Sequence, residues 1–494
     1  MGKMKWSELL DKRRVREVKR GKGSDQPSDK SRDQFRRDRG RAIFSTPLRR
    51  LQDKAQVFPL EPNDAVRTRL THSLEVASVA RDLAKEVSEN VLHMNVKKQR
   101  RYAQEIESIA ETCALVHDVG NPPFGHAGED AIQEWFTGKA IRNDGQLTKL
   151  GSVLVSDGEQ ERQLSIEDAE ESQAFQDFAK YEGNAQTLRT MARLQLMADP
   201  DGLNLTLGTL SAVQKYIAAS HQTEEERQPF HKPGHFASEN SLVELVRDAT
   251  GTGERRHPIS LLVEAADDAV YTAVDLEDGL NKGVLSWGDI KKCVQDKHDN
   301  ENDLISQVER KIDERERESG FENELTTREK EEAYCALFRT YVIGELKSSA
   351  ASVFCNNYES IMSGSFNDEL LESGEKAELW SCCKNLAVEK VFNSRGILEL
   401  ESMGKKVIHD LLDFFWEGAR QFNRAEDGVP KKFPFARKAF NLMSENYRRV
   451  FRYDLAEPEF PEEYYQLQLV TDYVAGMTDS FAQRVHRKLS NARI

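Results

Sequence analysis

The chain has 494 residues, a net charge of −14 and a hydrophobic fraction of 38%. That length admits two or three domains with a sizeable core, and the acidic balance argues against a dedicated nucleic-acid binder. No run of about 18 apolar residues is present to cross a bilayer, and the opening MGKMKWSELLDKRRVREVKR lacks the apolar stretch of a secretory signal. Six cysteines without a CxxC pair, two of them adjacent at Cys382 and Cys383, point to a reduced, cytoplasmic setting rather than a disulfide framework.

Residues 1–36 are locally basic and read as a flexible arm, with 18–34 rich in Lys, Gly, Ser, Asp and Gln. A helix is expected over 37–54, bent around Pro47. Thr71 to Leu92 carries Leu74, Val76, Val79, Ala80, Leu83, Ala84 and Val87 at helical spacing, with His72 in the first turn. A polar link over 93–104 leads to an apolar helix ending at His117. Gly120, Pro122 and Pro123 stop that helix, and a short one over 126–137 follows. Residues 138–170 read as a polar insertion with little core. Helix resumes over 175–196, where Gly183 costs about 1 kcal/mol against Ala. After the turn ADPDGLN, the segment LTLGTLSAVQKYI forms a helix carrying Lys215. A second polar insertion spans 221–257. A strong helix starts at Pro258, and further helices fill 286–350 around a charged middle. A turn-rich stretch at 357–374 precedes helices over 376–392 and 396–422. GVPKKFP sets off the C-terminal helices. The fold class is all-α: a helical core over 37–285, a helical region over 286–430, and C-terminal helices over 431–494. No GxxxxGK[ST] loop is present, so a P-loop mechanism is excluded.

The chemistry concentrates in HDVGNPPFGHAGE, His117 to Glu129. His117 and Asp118 at a helix end offer a nitrogen and a carboxylate to one divalent metal. His126 and Glu129, three apart, share a helix face, where a carboxylate fixes the imidazole tautomer and raises its basicity. A metal needs further ligands. His72 and one of Asp267 or Asp268 lie on apolar helices, where an unpaired charge is expensive to bury. Asp267, Tyr271 and Asp275 recur every four residues and share one face.

The set H…HD…D resembles the HD-domain phosphohydrolases. STPLRRLQDKAQVF, RTRLTHSLEV, HDVGNPPFGHAGE, YEGNAQTLR, EAADDAVYTAVDLED and DYVAGMTDSFA, in this order between residues 45 and 482, resemble the bacterial deoxyguanosine triphosphate triphosphohydrolases. The resemblance implies hydrolysis of dGTP to deoxyguanosine and triphosphate. It implies one divalent metal, Mn or Mg before Fe, Co or Ni, held by His72, His117, Asp118 and Asp267. Asp267 is preferred to Asp268 because the family's metal aspartate precedes its substrate tyrosine by four. His126 and Glu129 become the catalytic pair. Arg49, Gln56, Arg69, Asn184, Lys215, Tyr271, Asp275 and Arg448 become substrate ligands, with Arg448 offered from a neighbouring subunit. Asp268 is expected to turn toward the surface. A homo-oligomer such as a hexamer is implied. The alternatives are a broader dNTP triphosphohydrolase, another HD nucleotidase, or a single-stranded-DNA-binding regulator, which the basic first fifty residues motivate.

Overall fold

The computed structural model describes residues 2–19, 21, 33–60, 63, 65–91, 97–156, 164–195, 201–295, 302–319 and 325–490. Helices dominate these residues. The strands among them are β1 (Ala218–Ala219) and β2 (Pro233–His235), a short parallel pair. Among the described residues no helix is long and apolar enough to cross a membrane.

Two helices form the spine of the first core. Helix α1 (Arg69–Val91) packs along α2 (Lys97–Val116). Val76, Ala80, Leu83 and Val87 recur at three- and four-residue intervals on α1 and are buried there. Leu74, expected in the same stripe, is 53% exposed. A turn after α2 leads to α3 (His126–Ala140) and, further on, to α4 (Gly183–Ala192). Helix α5 (Pro258–Asn281) begins with a proline in its first turn, where no N–H is missed. It is buried on nearly every face, because α1, α2 and α6 (Thr327–Asn356) enclose it. Helix α7 (Ala377–Leu386) runs into a π-helical turn over Ala387–Phe392. Helices α8 (Arg395–Ala419) and α9 (Glu462–Ala475) build a second core with α3 around Phe136, Phe415 and Tyr464. Arg189 of α4 ties this core to the first. Its guanidinium is 2.8 Å from Asp472 of α9 and 2.7 Å from Glu239, all three buried.

Several boundaries differ from expectation. The 37–54 helix breaks before Pro47: Gln34–Ile43 ends at Phe44, and the Ser45 side chain caps a new helix, Thr46–Arg50, with Pro47 in its first turn. The polar link is shorter, since α2 starts at Lys97; residues 92–96 lie outside the described residues. The 138–170 insertion carries helices Lys149–Val155 and Ile166–Glu171, which bury Leu154 and Ala169; residues 157–163 are not described. The 175–196 helix is two helices, Gln173–Ala179 and α4, so Gly183 stands at a helix start rather than inside one. Lys215 follows the end of helix Leu207–Val213 instead of riding on it. The 221–257 segment includes helix Asn240–Thr250, whose Leu242, Val243 and Val246 are buried. The start of the presumed arm is packed: Met4, Trp6, Leu9 and Val15 join the first core, and buried Arg14 pairs with Asp38 at 2.8 Å. Most of 18–34 lies outside the described residues, as do 198–200 of the ADPDGLN turn and 320–324 of the charged middle. Cys293 and Cys382 form a disulfide, with Cα atoms 6.2 Å apart, where helix Trp287–Gln295 meets α7. Adjacent Cys383 does not obstruct it, because successive helix residues point about 100° apart.

Candidate metal and phosphate site

Helix α2 ends where its chemistry begins. Past Val116 the chain turns tightly, and the Gly120 N–H donates to Thr187 Oγ1 of α4 at 3.0 Å. A Cβ at Gly120 would sit 2.2 Å from the Gly183 carbonyl oxygen and the Thr187 nitrogen, so the turn abuts α4 without room for a side chain. Phe124 and Gly125 then take positive φ values of 66° and 61°, which starts α3 at His126.

This turn, the first turn of α1 and the middle of α5 converge. His72, His117 and Asp267 each offer one ligand atom, all within 4.8 Å of one another. His72 Nε2 lies 2.9 Å, and His117 Nε2 3.4 Å, from Asp267 Oδ1. His117 Nδ1–H donates to the Ala114 carbonyl at 2.7 Å. That bond turns the Nε2 lone pair into the cluster, where it also meets Asp118 Oδ2 at 3.5 Å. Unprotonated, that nitrogen can donate to a cation lying between it and the carboxylates; protonated, it is an N–H that both carboxylates attract. Burial disfavours a charged His117, yet Asp118 and Asp267 outweigh it and push the ring up to about 9. Burial likewise opposes ionisation of Asp118, but Arg69 and His117 hold its carboxyl at about 2. Two imidazoles with carboxylate oxygens are a donor set that accepts a divalent ion. Asp118 stands beside the closest three rather than among them, and its Oδ2 accepts a bond from Arg69 at 2.7 Å.

A second pair faces the same space. His126 Nδ1 is 2.9 Å from Glu129 Oε2, and the other Glu129 oxygen accepts the Gly183 N–H at 2.9 Å. Glu129 is buried while the His126 side chain is 81% exposed. The ring is therefore anchored at one nitrogen and presents the other. Its bond to Glu129 raises it above the ordinary histidine value.

Both groups line one cavity of about 550 Å³. Gln56, Arg69, Asn184, Lys215, Tyr271 and Asp275 line it too. Asp275 Oδ1 is buried without a hydrogen-bond partner among the described residues, and burial, followed by Asp278, raises its carboxyl well above the usual range. Asp268 does not reach the surface. It is buried in the same wall, near Lys215, because α5 is enclosed on that side as well.

Two expected ligands lie elsewhere. Arg49 is on the exposed face of its short helix and folds back on the Phe44 carbonyl and Thr46 Oγ1, both at 3.1 Å. Arg448, on helix Glu445–Ala456, is held by Glu445 at 2.6 Å and Asn441 at 3.2 Å. Gln186 braces Asp472 at 2.9 Å rather than facing the cavity. The sequence reading missed Glu182, Tyr216, Lys232, Glu264, Lys384, Val388, Phe392 and Glu401, which also line it. Glu182 belongs to YEGNAQTLR and so had a signal. Lys232 lay in a stretch read as an insertion, and Lys384 and Glu401 sit on helices whose local pattern marks only amphipathicity.

The HD-domain family profile matches residues 69–180, and that of the phosphohydrolase-associated domain matches 435–488. The chain is 33% identical to a deoxyguanosinetriphosphate triphosphohydrolase-like protein of Listeria monocytogenes, over 99% of each chain. It is 33% identical to the deoxyguanosinetriphosphate triphosphohydrolase of Klebsiella pneumoniae, over 92% of this chain and 93% of that one. Against the Salmonella arizonae enzyme of the same description the identity is 34%, with the same coverage. With His72 and His117 of the candidate ion cluster inside the segment matched by the HD domain, and likeness that runs nearly end to end, the chain belongs to the HD-domain metal-dependent phosphohydrolases and, among them, to the deoxyguanosinetriphosphate triphosphohydrolase-like family.

Proposed function

We propose that the chain hydrolyses dGTP to deoxyguanosine and inorganic triphosphate in this cavity. The observation that carries the reading is the meeting, in one space, of the His72–His117–Asp267 cluster and a carboxylate-held imidazole at His126. These three residues, with Asp118 beside them, would hold Mn or Mg, with Fe, Co and Ni as further fits to the donors. Such an ion, when bound, supplies an activated water and a polarised α-phosphorus.

The chain's own groups do the rest. Arg69, Lys215 and Lys232 neutralise the triphosphate, Arg69 with a fork of donors, and Asn184 adds an amide. His126, oriented by Glu129, carries the proton that the departing 5′ oxygen requires. Gln56, Tyr271 and Asp275 meet the sugar end. Arg49 has no role in this scheme. Arg448 has one only if a second copy brings it to the cavity, as in a homo-oligomer.

Incubation with each of the four dNTPs and Mn²⁺ or Mg²⁺, followed by chromatographic separation of products, tests the reading. Deoxyguanosine and triphosphate from dGTP are expected. dGMP and pyrophosphate would overturn the reaction type, and equal turnover of all four would make the enzyme a broad dNTP triphosphohydrolase. A second reading, a single-stranded-DNA-binding regulator, draws on another cavity, of about 600 Å³, lined by Arg16, Arg37 and Arg41. Salt-dependent retention of a single-stranded oligonucleotide without nucleotide turnover would favour it.

A further inference from the structure

Glu182 is the last residue before α4, with extended backbone (φ −143°, ψ 134°), and it caps that helix with its own side chain. One carboxylate oxygen accepts the Asn184 backbone N–H at 2.5 Å, and the other accepts the Asn184 side-chain amide at 3.0 Å. The residue between them is Gly183, whose N–H is held on Glu129 Oε1. A Cβ at Gly183 would fall 2.2 Å from Asn121 Oδ1 and 2.5 Å from Glu129 Oε1. The helix start is thus pressed directly against the carboxylate that holds His126. Glu182 is itself buried, lines the cavity, and has Lys232 Nζ at 3.9 Å.

This arrangement has a cost. Two buried acids, Glu129 and Glu182, stand on either side of Gly183. Burial, and then Glu129, push the Glu182 carboxyl up to about 7, against the opposing pull of Lys232 and Asn184. An uncharged acceptor would cap the helix without that repulsion, and Ser, Thr and Asn are common caps. The reach of Glu is what lets one side chain grip both donors of Asn184.

We propose that Glu182 is a positioning residue for the His126–Glu129 pair: by clamping the first turn of α4 it keeps the Gly183 N–H on one oxygen of Glu129 and leaves the other for His126. The proposal deepens the hydrolase reading and rests on His126 as the proton carrier. Glu182 touches neither substrate nor metal in this role. It acts through Gly183 and Glu129.

The test uses the full-length protein with Glu182→Ala, Glu182→Asp and Glu182→Gln. In Glu182→Ala, kcat for dGTP should fall about tenfold or more with KM changed by less than about threefold, since misplacing a catalytic group costs turnover rather than binding. Histidine-selective ¹⁵N NMR should show His126 titrating lower than in the wild type, having lost its firm bond to Glu129. Glu182→Asp, still able to cap through the Asn184 N–H, should recover kcat to within about threefold of the wild type. Glu182→Gln keeps an acceptor without the charge and should behave like Glu182→Asp.

An unchanged kcat in Glu182→Ala overturns the proposal. So does a fall in kcat with an unaltered His126 titration, or a rise in KM alone, which would make Glu182 a ligand contact through Lys232. Should Glu182→Ala fail to fold, the Asp and Gln variants decide: loss of kcat in Gln but not in Asp means the charge matters rather than the cap, and the proposal falls. If the wild type turns over no dNTP, the functional reading falls by itself, and the His126 titration still judges the clamp.

Discussion

At His126, one ring nitrogen is committed to Glu129 and the ring stands outside the group of donor atoms formed by His72, His117 and Asp267. Two properties should therefore separate in one variant. His126→Ala should bind metal as the wild type does, measured by elemental analysis after gel filtration. Its turnover should drop by about 10²- to 10⁴-fold, the range for loss of a positioned acid or base. Loss of metal from that variant would place His126 among the ligands. The spacing of His126 and Glu129 on one helix face was readable, because a local period determines it. The spacing of Asp267, Tyr271 and Asp275 was readable for the same reason. Arg49 and Arg448 were not readable in this way: a long flexible side chain is aimed by its neighbours, here the Phe44 carbonyl and Glu445, and no local pattern announces them.

At the scale of elements, the turn between α2 and α3 works only because it lies flush on α4. Gly120 supplies the close approach, since a Cβ there would overlap backbone atoms of Gly183 and Thr187 that have nowhere to move. Gly120→Ala should lower stability by about 1–3 kcal/mol, as overpacking does in a filled core, and reduce metal affinity along with it by shifting His117 and Asp118. Gly138, inside α3, is the internal control. Among the described residues nothing lies within 4 Å of a Cβ there, so Gly138→Ala should be neutral or stabilising by up to about 1 kcal/mol. Denaturant midpoints for the two variants check both statements. A loss from Gly138→Ala equal to that from Gly120→Ala would show that the close approach is not what matters. The helix stop after His117 was evident from Gly120, Pro122 and Pro123. That Gly120 also serves a contact with α4, more than sixty residues on, was not.

Across the whole molecule, Lys54 joins parts of the chain that local sequence cannot connect. Its buried ammonium donates to the carbonyls of Asn121, in the site turn, and Ala475, at the end of α9. Burial, opposed by Asp479, lowers it from 10.5 to about 7. Below that value the folded and unfolded chains both carry the proton. Between about 7 and 10.5 the unfolded chain binds a proton that the folded one lacks, so this residue makes stability rise with pH across that window. Its contribution to the slope is at most about 1.4 kcal/mol per pH unit. Urea titrations from pH 7 to 10 should show the rise in the wild type and a flatter profile in Lys54→Met. An unchanged profile in the variant would mean Lys54 keeps its charge when folded.

What the sequence by itself determined is everything with a short period or a short reach: the all-helical class, the amphipathic stripe of α1, the stop after His117, and the pairing of His126 with Glu129. These follow from backbone geometry within a few residues. Tertiary structure alone decided the remainder. It drew His72, His117 and Asp267, 150 residues apart on the last step, to within 4.8 Å of one another. It also packed the start of the presumed arm into the core, turned Asp268 inward, and brought Lys232 and Glu401 to a cavity that their own surroundings in the chain do not mention. The reason is that burial and charge pairing are set by whichever helices come together, and that choice is made by the summed packing of both cores rather than by any one segment.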